Sequence, residues 1–248
     1  MKIAVAGATG RAGRHVVDVL AARGHDVVPM ARSTGVDVIT GEGLAEALNG
    51  AECIVDLATG PSPDEEAATA FFTTAARNLQ QAGHEAGVQR IILVSIVGID
   101  RFATGYNAAK IAQERVHAEG PLPVRVLRAT QFHEFVAELV KWGRQGDVAR
   151  VPEMRTQLVA ARSVAEALAD LATDPAAVPG PMLEIAGPRE ESMVEAAQLL
   201  MGDSVRIEGI TWDPLYEDGA ALPGPDATLA GPTFEDWLAT QVRDGVRS

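Results

Sequence analysis

Within its first thirteen residues the chain runs from strand to glycine turn to helix. Lys2–Ala6 is a short apolar run with β-branched Ile3 and Val5. It leads directly into Gly7-Ala8-Thr9-Gly10-Arg11-Ala12-Gly13, and a helical pattern follows from Arg14 to Arg23. A βα beginning with glycines at this spacing restricts the fold, because it leaves a helix N-terminus open to an anion. Gly7 can turn off the strand where a Cβ would clash. Gly10 lets the backbone approach phosphates, and Gly13 lets the helix pack close to the sheet. The predicted occupant is a dinucleotide pyrophosphate held by Gly7, Thr9, Gly10, Arg11, Ala12 and Gly13, on the free N–H groups and the helix dipole.

The remaining pattern alternates. Strands are predicted at Asp26–Ala31, Asp37–Thr40, Cys53–Ala58, Arg90–Ile96 and Val124–Arg128. Helices are predicted at Leu44–Leu48, Pro63–Ala86 and Asn107–Glu119. Apolar strands separated by helices imply an α/β fold: a doubly wound Rossmann parallel sheet covered on both faces, with ligands at the strand C-termini. Beyond Arg128 the rhythm loosens. Phe132–Gly143 and Met193–Met201 read as helices, Met182–Ala186 and Val205–Ile210 as strands, Val151–Ala161 as irregular to extended, and Leu215–Gly231 as a Gly/Pro-rich loop. Ser163-Val164-Ala165-Glu166 reads as a capping box, and a last helix starts at Thr233. The expectation is one domain over residues 1–248, with about 131–248 contributing a small C-terminal substrate lobe.

Composition excludes several classes. A net charge of −13 argues against binding nucleic acid by phosphate neutralisation. The single cysteine, Cys53, excludes an internal disulfide and reads as a buried strand residue. No metal-ligand spacing links it to the five histidines. With no apolar run of membrane-spanning length and no leader before the first strand, the expectation is a cytoplasmic protein without a membrane partner. Oligomeric state, monomer or homodimer, is left open.

The second informative constellation is Tyr106-Asn107-Ala108-Ala109-Lys110, because residues four apart share a helix face. An ammonium near a phenol stabilises the phenolate, so Lys110 is expected to lower the Tyr106 pKa. With the glycine turn, this pair resembles a short-chain dehydrogenase/reductase of the extended or atypical kind, close to the NmrA-like NAD(P)-binding group. Gly7–Gly13 is similar to the group's glycine motif, and Tyr106 with Lys110 to its Y-x-x-x-K. Leu127-Arg128-Ala129-Thr130-Gln131-Phe132 resembles its segment beside the nicotinamide. The resemblance implies that Tyr106 is the acid/base, that Lys110 also holds the nicotinamide ribose, and that Thr130 lies near the cofactor. Ser95 is either the substrate-orienting hydroxyl or a structural strand-end residue. By the same analogy, Ala58-Thr59-Gly60 runs beneath the adenosine ribose, and Asp37 or Glu42 approaches the adenine.

The second strand ends in Met30-Ala31-Arg32-Ser33, where an NAD-preferring site normally carries an acid. Arg32, Ser33 and Thr34, with Arg11, suit a 2′-phosphate, so NADP(H) is expected over NAD(H). Phe132 and His133 are candidate substrate contacts. Phe135, Trp142, Met154 and Trp212 form either an apolar pocket or core. The expected activity is NADPH-dependent reduction of a small apolar carbonyl, quinone or enone. Two alternatives are a non-catalytic NADP(H)-binding regulator or redox sensor, and an epimerase or dehydratase recycling bound NADP.

Overall fold

The computed structural model describes residues 1–174, 180 and 182–243. The chain divides into two compact units, Met1–Arg128 with Val164–Leu183, and Ala129–Ser163 with the chain from Glu184 onward.

The first unit alternates strand and helix: β1 (Lys2–Ala6), α1 (Gly13–Ala22), β2 (Asp26–Met30), α2 (Leu44–Leu48), β3 (Cys53–Asp56), α3 (Glu65–Glu85), β4 (Arg90–Ile96), α4 (Gly105–Glu119) and β5 (Val124–Ala129). The strands lie in the order β5-β4-β3-β1-β2. β1 pairs in parallel with both β2 and β3, and β3 with β4. The chain therefore builds to one side of β1 and then crosses to the other. The C-terminal ends of β1 and β3 form the switch point where doubly wound sheets bind ligands. β1 and β3 bury almost every residue, as strands covered on both faces must. Ala4, Ile54 and Ile91 join Leu44, Leu48 and Leu79 in the core on one face.

The expected strand at Asp37–Thr40 does not form; the segment is a turn. Asp37 Oδ1 accepts from the Ile39 and Thr40 N–H groups, and Asn78 of α3 donates to the Val38 and Ile39 carbonyls. Side chains thus supply the partners that a strand ladder would have given.

The second unit holds α5 (His133–Gly143), β6 (Arg144–Gln145), β7 (Val148–Pro152), β8 (Arg155–Thr156) and the start of α6 (Ala161–Thr173). After β9 (Met182–Ala186) come β10 (Glu191–Ser192), α7 (Met193–Met201), β11 (Arg206–Ile210), α8 (Pro214–Glu217), β12 (Thr228–Leu229) and α9 (Phe234–Arg243). β9 opens in the first unit, next to β5 in the sheet order, and its far end pairs in parallel with β12. The sheet thereby has seven strands, and the Rossmann architecture expected from the sequence is present. Val136, Leu139, Val151, Met154, Met193 and Phe234 anchor a separate core.

Three local expectations are corrected here. α6 starts at Ala161, two residues before the supposed cap at Ser163, and the Glu134 carboxylate receives the Ala161 N–H at 3.2 Å. The Leu215–Gly231 loop contains part of α8 and all of β12. Met154 is core, whereas Trp142 and Trp212 are 59% and 52% exposed, so these residues do not share a pocket lining.

Candidate functional site

The glycine turn sits on the C-terminal end of β1. The Gly7 N–H donates to the Met30 carbonyl at 3.0 Å and the Gly10 N–H to the Gly7 carbonyl at 2.9 Å. Gly7 has φ 74°, and a Cβ there would stand 2.6 Å from the Leu57 carbonyl oxygen. A Cβ on Gly13 would overlap the Gly7 carbonyl. No side chain caps α1, and its first turn carries no acid. An uncapped N-terminus approached this closely by backbone is a cradle shaped for an anion, and it fits a dinucleotide pyrophosphate.

The bond from Gly7 to Met30 also brings the end of β2 against this turn. Arg32, Ser33 and Thr34 form a single 3₁₀ turn there. Arg32 and Ser33 are both exposed. The Thr34 hydroxyl, expected to meet a 2′-phosphate, is spent on the turn itself: it accepts from Ala31 N–H and lies 2.9 Å from the Pro29 carbonyl. At the end of β3, the Leu57 N–H donates to the Ala6 carbonyl and the Ala58 N–H to Asp56 Oδ1, each at 3.0 Å. Ala58 is buried and Thr59 exposed, and a Cβ on Gly60 would press on the Phe71 ring.

α4 carries the second half of the site. Ser95, near the end of β4, is 1% exposed, and its hydroxyl has no hydrogen-bond partner among the described residues. Such an orphaned buried oxygen is costly unless something else completes it. Lys110 Nζ reaches the same strand end and donates to the Val94 carbonyl at 2.9 Å. The ammonium also donates to Gln113 Oε1 at 2.5 Å and lies 4.7 Å from the centre of the Phe72 ring. Tyr106 packs edge-on against Phe72, ring centres 5.5 Å apart.

The expected electrostatic help from Lys110 to Tyr106 is not present in this arrangement. Burial pushes the Tyr106 phenol up to about 12, with no opposing contribution from the lysine. Burial also pulls Lys110 down to about 8, against the charges of Asp56 and Glu114. The ammonium faces inward to acceptors in the core, which is why the shared helix face did not become a phenol–ammonium pair.

Those acceptors were missed in the sequence. Asp56 and Gln113 are fully buried, and Gln113 donates to Asp56 Oδ2 at 3.0 Å. Arg128 of β5 grips Glu114 of α4 with two bonds, at 3.1 and 2.9 Å, and reaches Asp100 at 2.6 Å. This pins α4 and the loop before it to the sheet. The signal was available: Asp56 is the lone acid in an apolar strand, and Lys110, Gln113, Glu114 and His117 share one helix face.

In the second unit two expected contacts are otherwise engaged. Thr130 is buried and donates its hydroxyl proton to the Gln157 carbonyl. His133, expected to touch substrate, is 1% exposed; its Nε2 lies 3.0 Å from the Leu158 carbonyl, and Phe234 and Trp237 pack against the ring. Burial pulls its pKa down to about 4, so this imidazole is a neutral core group at neutral pH. Phe132 is half-buried and bridges to Val159.

Residues 7–175 match the family model described as NAD(P)H-binding. No curated protein matches the chain. Among solved structures, UDP-N-acetylglucosamine 4-epimerase from Bacillus cereus aligns over 100% of this chain and 98% of its own, at TM-score 0.72 and 16% identity. The dTDP-4-dehydrorhamnose reductase from Bacillus anthracis, in complex with NADP, aligns over 98% and 99% at TM-score 0.75 and 15% identity. A short-chain dehydrogenase/reductase superfamily protein from Agrobacterium tumefaciens, with bound NAD, aligns over 98% of each chain at TM-score 0.69 and 16% identity. At these identities the likenesses show a shared fold. The family model begins at Gly7, the first glycine of the anion cradle, and on that match the chain belongs to the NAD(P)H-binding family.

Proposed function

We propose that the chain is an NADP(H)-dependent oxidoreductase that reduces a small apolar carbonyl, quinone or enone. The observation that carries this reading is the meeting of Lys110 with the end of β4, where Ser95 keeps an unpartnered hydroxyl, one helical turn from Tyr106. When bound, the nicotinamide supplies hydride. Tyr106 passes its proton to the substrate oxygen. Its phenol, held at about 12, is the protonated donor that reduction needs, and a poor base for the reverse reaction. Ser95 orients the oxygen, Lys110 holds the ribose, and the Gly7–Gly13 turn holds the pyrophosphate. Arg32 pairs with the 2′-phosphate, assisted by Ser33 and Arg11. The unit from Ala129 serves as the substrate lobe, with Phe132 as its contact.

Tyr106→Phe tests the chemistry. NADPH oxidation across a panel of carbonyls, quinones and enones should fall by roughly 100-fold or more, because proton transfer is lost. NADPH affinity should stay close to wild type. Turnover unchanged in Tyr106→Phe would contradict the proposal.

One observation favours a second reading, a non-catalytic NADP(H)-binding regulator. The Lys110 ammonium is engaged by Val94 and Gln113, and nothing offsets the burial of the Tyr106 phenol. NADPH binding without oxidation by any member of the panel would select it. Epimerase or dehydratase chemistry draws support from the fold alone, which does not select a reaction.

A further inference from the structure

We propose that Asp56, acting through Gln113, is a positioning residue for Lys110: it is the buried counter-charge that holds the ammonium, protonated, at the end of β4. This rests on the reading of Lys110 as the ribose-holding residue.

The hydrogen-bond directions are forced. An ammonium only donates and a carboxylate only accepts. Gln113 must therefore turn its carbonyl to Lys110, at 2.5 Å, and its amide NH₂ to Asp56, at 3.0 Å. The other partners of Asp56 are His117 and the Ala58 N–H. Gln80 Oε1 accepts from the Leu122 N–H at 2.8 Å, so its NH₂ faces the His117 and Leu122 carbonyls and His117 Nδ1. Because the carboxylate only accepts, His117 Nε2 carries the proton given to Asp56 at 3.1 Å. The His117 imidazole and the Ala58 N–H, at 3.0 Å, complete the carboxylate. Gln113 links it to the Lys110 ammonium, and all these side chains are buried.

The groups facing Lys110 are few. Asp56 comes from β3. Glu114, His117 and Tyr106 lie on its own helix, and Glu114 is already gripped by Arg128 of β5. α3 presents the Phe72 ring, and β4 presents the Val94 carbonyl. Burial pulls the Asp56 carboxyl up, but the bond and charge of His117, the bond from Ala58 and the charge of Lys110 outweigh this and leave it below its ordinary value. For Lys110, burial wins over Asp56 and Glu114, leaving it at about 8. An ammonium that loses this counter-charge has less to hold its proton in the core.

The chain has three lysines, Lys2, Lys110 and Lys141, so its side-chain NMR signals are readily resolved. The test titrates ¹³Cε-lysine-labelled full-length protein, with Lys110→Met assigning the signal. Lys110 should titrate below the ordinary lysine value. In Asp56→Asn its midpoint should fall further, by about one unit, because a stabilising negative charge is gone. Gln113→Met keeps the side-chain length, cuts both bonds, and should move the midpoint the same way; it also serves if Asp56→Asn does not fold. A Lys110 midpoint unmoved in a folded variant would overturn the proposal.

NADPH titrations close the cycle. Asp56→Asn should weaken NADPH about tenfold, the size of one charge-assisted hydrogen bond, but should cost little further affinity in the Lys110→Met background. Equal losses in both backgrounds would reveal a general structural role and overturn the proposal. If Lys110→Met alone leaves NADPH affinity unchanged, the ribose-holding reading fails, while the lysine titration still decides the link between Asp56 and Lys110.

Discussion

The glycine turn at Gly7–Gly13 and the inner face of α4 both lie at strand ends of one sheet, but they are built from different material. The turn is backbone: its shape comes from Gly7 at φ 74°, from the contact of Gly13 with Gly7, and from an uncapped helix. The α4 face is side chains: Lys110, Gln113 and Glu114 take their positions from Asp56, Val94 and Arg128 on three different strands. A site written in backbone is local and tolerates nothing larger than hydrogen at its contacts. A site written in side chains depends on partners far along the chain.

The largest expected break in that comparison is Gly13→Val. The added carbons collide with the Gly7 carbonyl, so α1 must lift from the turn. Overpacking of this kind costs about 3 kcal/mol or more, and NADPH binding should disappear with it. Calorimetric titration and thermal melting read both effects.

Arg128→Leu attacks the side-chain half. It strands Glu114, with a side chain 10% exposed, without its cation. Breaking such a pair costs about 3 kcal/mol, and chemical denaturation should show it as a lower midpoint. The α4 site should loosen while the glycine turn stays intact.

A third region supplies a pH readout. His133 has its pKa lowered from 6.5 to about 4 by burial, so the unfolded chain binds the extra proton between those values. Stability should be fully present above about pH 6.5 and decline by up to about 3 kcal/mol as pH falls to about 4. Denaturation of wild type against His133→Phe isolates this slope; an equal slope in both would deny the buried neutral imidazole.

The smallest effect belongs to one exposed contact. Arg32→Ala should reduce the preference for NADPH over NADH by about tenfold, the strength of one arginine–phosphate interaction. It should leave melting unchanged.

The sequence disclosed these regions unequally, and for the same physical reason. β4, β9 and α7 are found with their predicted bounds, because apolar periodicity is a local property. The Asp37–Thr40 strand failed because Asn78, about forty residues on, satisfies its backbone. Gly7–Gly13 was legible because glycine spacing encodes backbone geometry directly. Tyr106 and Lys110 were legible as residues of one helix, but the inward turn of the ammonium was not, since Asp56 lies 54 positions earlier. His133 looked accessible because it follows a strand end, and only the packing of Phe234 and Trp237 shows it closed in.

The proposed function requires a phosphorylated nicotinamide dinucleotide at the backbone-built glycine turn. Calorimetric titration of the wild-type chain with NADPH and, separately, NADH tests this most directly. The prediction is saturable binding of both, with NADPH tighter by about tenfold or more. NADH binding as tightly as NADPH, or more tightly, would contradict it.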